Sequence, residues 1–305
     1  MLPGVPPSIA AAARHPDPED SVAINYDRLM SYRHPEKTFS YGERETMLYA
    51  LGIGFGADPM NRAELPFVYE KGLRAVPTLA TVIAWDDSFI AQSGINFLLV
   101  VHGEQRIVLH RPLPVAAKVT AQLAITDIFD KGQGKGAIVL SRTTIADQAT
   151  GEVLCTNYAT TFARGDGGFG GPAGSGPAPH PLPDRAPERV IDLPTSPGQA
   201  LLYALSGDRN PLHRDPAVAE AAGVRRPILH GLCTYGIACR AVLQTCCDLD
   251  PTRVREFGGR FSAPVFPGET IRVETWQEGP IVSFRASVPE RGQVVLNNGR
   301  AVLAG

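Results

Sequence analysis

Two stretches of the chain, Lys118-Val119-Thr120-Ala121 and Thr270-Ile271-Arg272-Val273, alternate polar and apolar residues with the period of two expected of half-buried strands. A proline-studded apolar segment precedes each, Arg111-Pro112-Leu113-Pro114-Val115 in one case and Ala263-Pro264-Val265-Phe266-Pro267 in the other. Further on, Gly151-Glu152-Val153-Leu154 and Gly292-Gln293-Val294-Val295 each read as a turn opening a final strand. Earlier than both sets lie two related helical blocks, Met47-Leu48-Tyr49-Ala50-Leu51-Gly52 and Leu202-Tyr203-Ala204-Leu205-Ser206-Gly207. Three blocks recurring in one order predict a duplicated fold, each copy with a helix early and several strands late.

The stretch between the copies turns to glycine and proline, as in Gly165-Asp166-Gly167-Gly168-Phe169-Gly170-Gly171-Pro172. Such composition does not sustain helix or sheet and predicts a linker over residues 164–186, with one copy in 1–163 and the other in 187–305.

The copies differ where chemistry is concerned. Leu205 is followed by Ser206-Gly207-Asp208-Arg209-Asn210-Pro211-Leu212-His213, but Leu51 by Gly52-Ile53-Gly54-Phe55-Gly56-Ala57-Asp58-Pro59, with no matching histidine. Pro211 biases Asn210 toward extended backbone and Gly207 permits a tight turn, so Asp208, Asn210 and His213 are expected on one fixed irregular loop. A carboxylate, an amide and an imidazole converging on one point suit general acid and base work on a water molecule, although Asp-x-Asn-Pro alone also describes an ordinary Asx turn. Downstream, Asp215 and Pro216 open a short helix that Gly223 closes. A second helix, small and apolar nearly all round, is predicted from near Gly231 to Leu243. Its N-terminal N–H groups are placed to receive a carbonyl oxygen.

Composition narrows the setting. The 305 residues are 44% hydrophobic, enough for one large core or two ordinary ones. With 29 basic against 31 acidic residues and no basic block, a nucleic-acid or anionic-membrane partner is not indicated. The five cysteines form an odd set without CxxC or metal-ligand spacing, as in a reducing compartment. No apolar run approaches the ~20 residues of a membrane span, and Met1 to Pro7 lacks the features of a signal peptide, so a cytoplasmic protein is expected.

The loop Tyr203-Ala204-Leu205-Ser206-Gly207-Asp208-Arg209-Asn210-Pro211-Leu212-His213, joined to Pro227-Ile228-Leu229-His230-Gly231-Leu232-Cys233-Thr234, closely resembles the (R)-specific enoyl-CoA hydratase 2 family, the MaoC-like hydratases. The first copy resembles the N-terminal half of the two-domain members through Tyr49 to Gly54, Phe67 to Glu70, Leu73 to Thr78, His102-Gly103-Glu104-Gln105 and Asp130 to Gly134. The resemblance implies an α+β double hot-dog fold, each repeat an antiparallel sheet wrapped round a central helix. It implies that Asp208 and His213, assisted by Asn210, activate water, and that Gly231 N–H polarises a thioester carbonyl. His102, Gly103, Lys131 and Phe261 would line the CoA and acyl channel, with Arg209, Pro211 and Leu212 against the substrate. Glu70, a carboxylate in the apolar run Leu65-Pro66-Phe67-Val68-Tyr69, would support the centre through a hydrogen bond or ion pair, or else transfer a proton itself.

The implied reaction adds water to a trans-2-enoyl-CoA to give (R)-3-hydroxyacyl-CoA, with no metal and no cofactor beyond the CoA of the substrate. Two other readings stay open from the residues: an acyl-CoA thioesterase on the same fold, and a non-catalytic acyl-CoA-binding subunit. No dehydrogenase or sterol-carrier segment is present, so a separate (R)-3-hydroxyacyl-CoA dehydrogenase is expected as pathway neighbour. The stretch from Ala80 to Leu98 is shorter than its counterpart, which leaves acyl preference open, as is pairing into a homodimer of double hot-dog chains.

Overall fold

The computed structural model describes residues 24–86, 93–95 and 99–304. Most of the expected tail-pocket stretch after Asp86, and the N-terminal Met1 to Pro7, therefore lie outside the described residues. Ten strands form one sheet: β1 (Lys37–Tyr41), β2 (Val100–Leu109), β3 (Ala117–Asp130), β4 (Ala137–Asp147), β5 (Val153–Ala163), β6 (Arg189–Pro194), β7 (Val254–Phe261), β8 (Thr270–Glu278), β9 (Ile281–Val288) and β10 (Gln293–Leu303). Their order is β1-β3-β4-β5-β2-β7-β10-β9-β8-β6. Read outward from the middle, β2-β5-β4-β3-β1 and β7-β10-β9-β8-β6 follow one connectivity, so the duplication in the sequence is a duplication of topology.

The copies meet where β2 pairs antiparallel with β7, from Glu104 opposite Arg260 to Val108 opposite Glu256. Backbone hydrogen bonds thus cross the junction and make one continuous sheet. The helices that matter for the site are α1 (Tyr26–Ser31), α2 (Glu43–Gly52), α3 (Leu65–Val68), α4 (Gln199–Tyr203), α5 (Pro216–Ala221) and α6 (Gly231–Cys246). The sequence predicted the last two closely. Asp215 caps α5 by accepting the Ala217 N–H at 2.9 Å, and α6 buries 13 of its 16 residues, as its apolar circumference requires.

The copies differ in what fills the sheet. The second wraps around α6, whereas at the corresponding place the first shows only a short 3₁₀ turn, Pro77–Thr81, among the described residues. One large core, including Tyr49, Phe67, Tyr203, Tyr235, Phe257 and Phe284, spans both copies.

The glycine- and proline-rich stretch after β5 has no helix or strand until β6, yet it is docked at both ends. Asp130 accepts the N–H groups of Gly168 and Gly170, each at 2.8 Å, which holds its carboxyl below the usual range. In the second copy, Asn298 donates to the His180 carbonyl at 2.9 Å, and His180 Nε2 lies 2.8 Å from Ser283 Oγ.

Candidate active site

The loop after α4 is built as its residue types dictate. Gly207 has φ +141°, and a side chain there would meet Trp85 of the first copy at 3.1 Å, so glycine both makes the turn and admits the neighbour. Asp208 Oδ1 accepts the Asn210 N–H at 3.0 Å, and Asn210 Oδ1 accepts the Leu212 N–H at 3.0 Å. Asn210 therefore has its oxygen committed to the turn, and its amide nitrogen is the group left for a ligand. His213 closes the following 3₁₀ turn and is buried.

His213 Nδ1 lies 2.9 Å from the Ile228 carbonyl, which can only accept, so Nδ1 carries the proton and Nε2 keeps its lone pair. That Nε2 is 3.9 Å from Asp208 Oδ2. The gap is too long for a direct hydrogen bond and suits one oxygen atom bonded to both.

His230, the residue before α6, completes the centre. Its ring stacks on His213 with centroids 3.8 Å apart and planes 28° apart, and the Tyr203 ring lies tilted against it with centroids 5.0 Å apart. Nε2 of His230 sits 3.2 Å from the Asp208 carbonyl, tying the helix start to the loop, while its buried Nδ1 has no hydrogen-bond partner among the described residues. Burial, then His213, pulls His230 down to about 3. Burial likewise lowers His213, with the charge of Asp208 opposing. Both rings are thus held neutral in the physiological range.

Gly231 opens α6, so its N–H has no intrahelical acceptor and points to the centre's end of the helix. A side chain at Gly231 would come within 3.3 Å of the Phe261 ring. Phe261 ends β7, and its ring is 4.9 Å from that of His102, near the start of β2. His102 Nε2 lies 3.1 Å from the Glu104 carbonyl, and burial takes this imidazole down to about 4, partly offset by that carbonyl, by Gln105 and by the charge of Asp208. Gly103 occupies the register slip between His102 and Glu104. Both copies thus line the centre, the first supplying Trp85 and His102.

Other expected residues lie elsewhere or make other contacts. Arg209 and Pro211 are exposed and Leu212 is half-buried, all three on the catalytic loop. Lys131 is exposed at the β3–β4 hairpin and donates to the Gly174 carbonyl at 3.2 Å. That hairpin is at the same end of the sheet as Val100, which pairs with Ala163 and through it with Ala137.

Glu70 corrects an expectation. It is exposed in the turn after α3, and its side chain makes no hydrogen bond or ion pair among the described residues. The buried carboxylate is Glu64, 1% exposed, which accepts from Arg240 Nη2 at 2.7 Å, from Gln244 at 2.6 Å and from the Gly56 N–H at 2.9 Å. The short α3 turns its apolar Phe67 inward and releases the chain to solvent by Tyr69, so the apolar run does not extend burial to Glu70. Sequence reasoning assigns no role to His230, which the fold nonetheless stacks on His213. A second histidine at the start of the helix that follows the His213 loop was the available signal.

Comparison with known proteins agrees with this architecture. A MaoC-like domain matches residues 180–298, and the N-terminal domain of MFE-2 hydratase 2 matches residues 39–165. The chain is 40% identical over 292 residues to the peroxisomal enoyl-CoA hydratase 2 of Arabidopsis thaliana, covering 90% of this chain and 94% of that one. A MaoC-like dehydratase from Phytophthora capsici superposes with a TM-score of 0.81 at 33% identity, covering 92% and 98% of the two chains. The double hot-dog protein RV0216 of Mycobacterium tuberculosis shares the fold, with a TM-score of 0.54 at 16% identity over 90% of this chain and 97% of that one. With a duplicated sheet, one histidine-bearing loop and matches along nearly its whole length, the chain belongs to the MaoC-like enoyl-CoA hydratase 2 family.

Proposed function

We propose that the protein reversibly adds water to trans-2-enoyl-CoA thioesters, giving (R)-3-hydroxyacyl-CoA. The observation that carries this reading is the 3.9 Å gap between Asp208 Oδ2 and the unprotonated Nε2 of His213, beside the first N–H of α6. The thioester oxygen accepts from Gly231 N–H, which stabilises the enolate, and water held between Asp208 and His213 attacks C3. One water proton passes to the Asp208–His213 pair and a proton returns to C2 from the same face, so water is added whole, and membership of the hydratase 2 family supports the (R) configuration of the product. Asn210 presents its amide nitrogen to the water, and His102 and Phe261 flank the acyl group. Arg209, Pro211, Leu212 and Lys131 contact the CoA portion.

No metal or redox cofactor takes part in this scheme. Asp208, His213 and His230 do offer ligand atoms within 4.8 Å of one another, but stacking sets the two imidazoles in near-parallel planes about one ring thickness apart. Two such lone pairs do not converge on one ion at the ~2.0–2.1 Å of a zinc–imidazole bond. A dehydrogenase acting on (R)-3-hydroxyacyl-CoA oxidises the product, and chains pair as a homodimer. A reducing compartment is supported by five free, buried cysteines, and the peroxisomal name of the Arabidopsis relative makes the peroxisome the rival to the cytoplasm. Among the described residues no helix is long and apolar enough to cross a membrane.

Incubation with crotonyl-CoA tests the reaction. Loss of enoyl absorbance without release of CoA thiol is expected, with the (R) configuration in the product. Thiol release would instead show a thioesterase, and tight binding without turnover a binding subunit.

A further inference from the structure

We propose that Asp86 is a positioning residue for hydration: clamped by His34 and Lys37, it holds Trp85 against Gly207 and so fixes the loop that carries Asp208. This rests on the hydratase reading of the centre.

The contact at the loop is close. A side chain built on Gly207 would lie 3.1 Å from Cβ and 3.3 Å from Cγ of Trp85. Gly207 directly precedes Asp208. From its own copy Asp208 is held by His230 Nε2 on its carbonyl at 3.2 Å and by the Asn210 N–H on Oδ1 at 3.0 Å. Neither contact restrains the peptide that enters the loop, where the Gly207 N–H meets the Ala204 carbonyl only at 3.4 Å. Glycine backbone is the freest there is, and Trp85 supplies the restraint at that point.

Trp85 is itself anchored on both sides. Before it Val82 and Ile83 are buried, its N–H bonds to the Val82 carbonyl at 3.2 Å, and Asn157 of β5 donates to the Ala80 carbonyl at 2.8 Å. After it Asp86 Oδ2 accepts from Lys37 Nζ at 2.6 Å and lies 3.0 Å from His34 Nε2. Both partners are fixed to β3 in turn, Lys37 by pairing opposite Ala121 and His34 through its carbonyl, to which Gln122 donates. The His34 side chain is 3% exposed and that of Asp86 16%, so water and salt screen this contact less than a surface ion pair. With Lys37 they wall a crevice of about 20 Å³, room for one water molecule.

A path of contacts thus runs from the edge of the first copy's sheet through Asp86, Trp85 and Gly207 to Asp208. It ends at the 3.9 Å gap where water is held. A proton-transferring hydrogen bond works over only about 2.6–3.2 Å, so sub-ångström drift of Asp208 costs rate. Thioester binding rests on Gly231 and the CoA contacts, so loosening the clamp is read in kcat and not in KM.

The full chain has two tryptophans, Trp85 and Trp276, and Trp276→Phe leaves Trp85 as the fluorescent reporter of its own position. In that background Asp86→Ala should lower kcat for crotonyl-CoA about 10-fold with KM changed less than about twofold, and should strengthen acrylamide quenching of Trp85. Trp85→Leu should also be slowed, and adding Asp86→Ala to it should change kcat by less than about twofold, because the clamp then has no ring to hold. Lys37→Met, at a half-buried position, should give a smaller loss in the same direction that Lys37→Arg restores, and this pair carries the test if Asp86→Ala fails to fold. Unchanged kcat in both Asp86→Ala and Lys37→Met, slowed hydration with Trp85 quenching unchanged, or losses that add in the Trp85→Leu background would each overturn the proposal. An unmutated chain that does not hydrate crotonyl-CoA sinks the catalytic reading instead, and the quenching comparison still reports whether Asp86 holds Trp85.

Discussion

The loop that follows α4 and its counterpart after α2 start from similar helices and end in opposite uses. In the second copy the loop presents Asp208 and His213 across a 3.9 Å gap, with their remaining polar atoms satisfied by the backbone. In the first copy the same position in the topology is occupied by Ile53 to Asp58, and Phe55 stacks on Phe67 at 4.4 Å with Arg240 of α6 above it. Gly54 leaves room for that guanidinium, since a side chain there would approach Arg240 to 2.9 Å. One loop thus holds polar groups ready for a ligand, and the other packs an aromatic ring beneath Arg240 of the second copy. Duplication made this division available: once one site served catalysis, the other was free to become scaffold.

The largest expected effect separates the two loops by activity. Asp208→Ala should lower kcat/KM for crotonyl-CoA by about 10²–10⁴-fold, the ordinary worth of acid and base catalysis. Asp58→Ala, on the exposed part of the other loop, should change it by less than twofold. Equal losses in the two variants would break the comparison.

The second effect is on stability. Glu64→Ala leaves the Arg240 guanidinium buried without its carboxylate, which should cost about 3–5 kcal/mol in denaturant unfolding. Glu70→Ala, in solvent, should cost almost nothing, and the pair of measurements sharpens the correction between these two residues.

Acid dependence should be concentrated at the second centre. His102 and His230 are lowered from 6.5 to about 4 and about 3 by burial, and His213 is lowered as well. A histidine with a depressed folded pKa binds more protons when unfolded, so its stability is fully present above pH 6.5 and falls as the pH drops toward the folded value. The same shift places the acid limb of kcat/KM below pH 6.5, because His213 must be neutral to accept a proton. His230→Phe should reduce the acid slope of stability between pH 6.5 and about 3, as measured by unfolding at fixed pH values.

The smallest effect concerns the tie between helix and loop. His230→Phe keeps a ring against His213 but loses the hydrogen bond to the Asp208 carbonyl, a contact worth about 1 kcal/mol. A fall in kcat of roughly fivefold at neutral pH, with KM little changed, is expected of a positioning residue.

Much of this was legible in the sequence because it is local. The period of two in Lys118 to Ala121, the cap at Asp215, the apolar circumference after Gly231 and the missing histidine after Leu51 are all short-range patterns. They determined the duplication, the helix starts and the loop that carries Asp208, Asn210 and His213. Tertiary structure decided the rest. Only the pairing of β2 with β7 brings His102 beside Phe261, and only the fold of the loop against the helix start stacks His230 on His213. The choice between Glu64 and Glu70 has the same origin. Both carboxylates border one apolar run, but burial belongs to the one facing Arg240, 176 residues away on α6. Local periodicity tells which residues turn from water, whereas partners for buried charge are chosen by surfaces that meet only when the chain has folded.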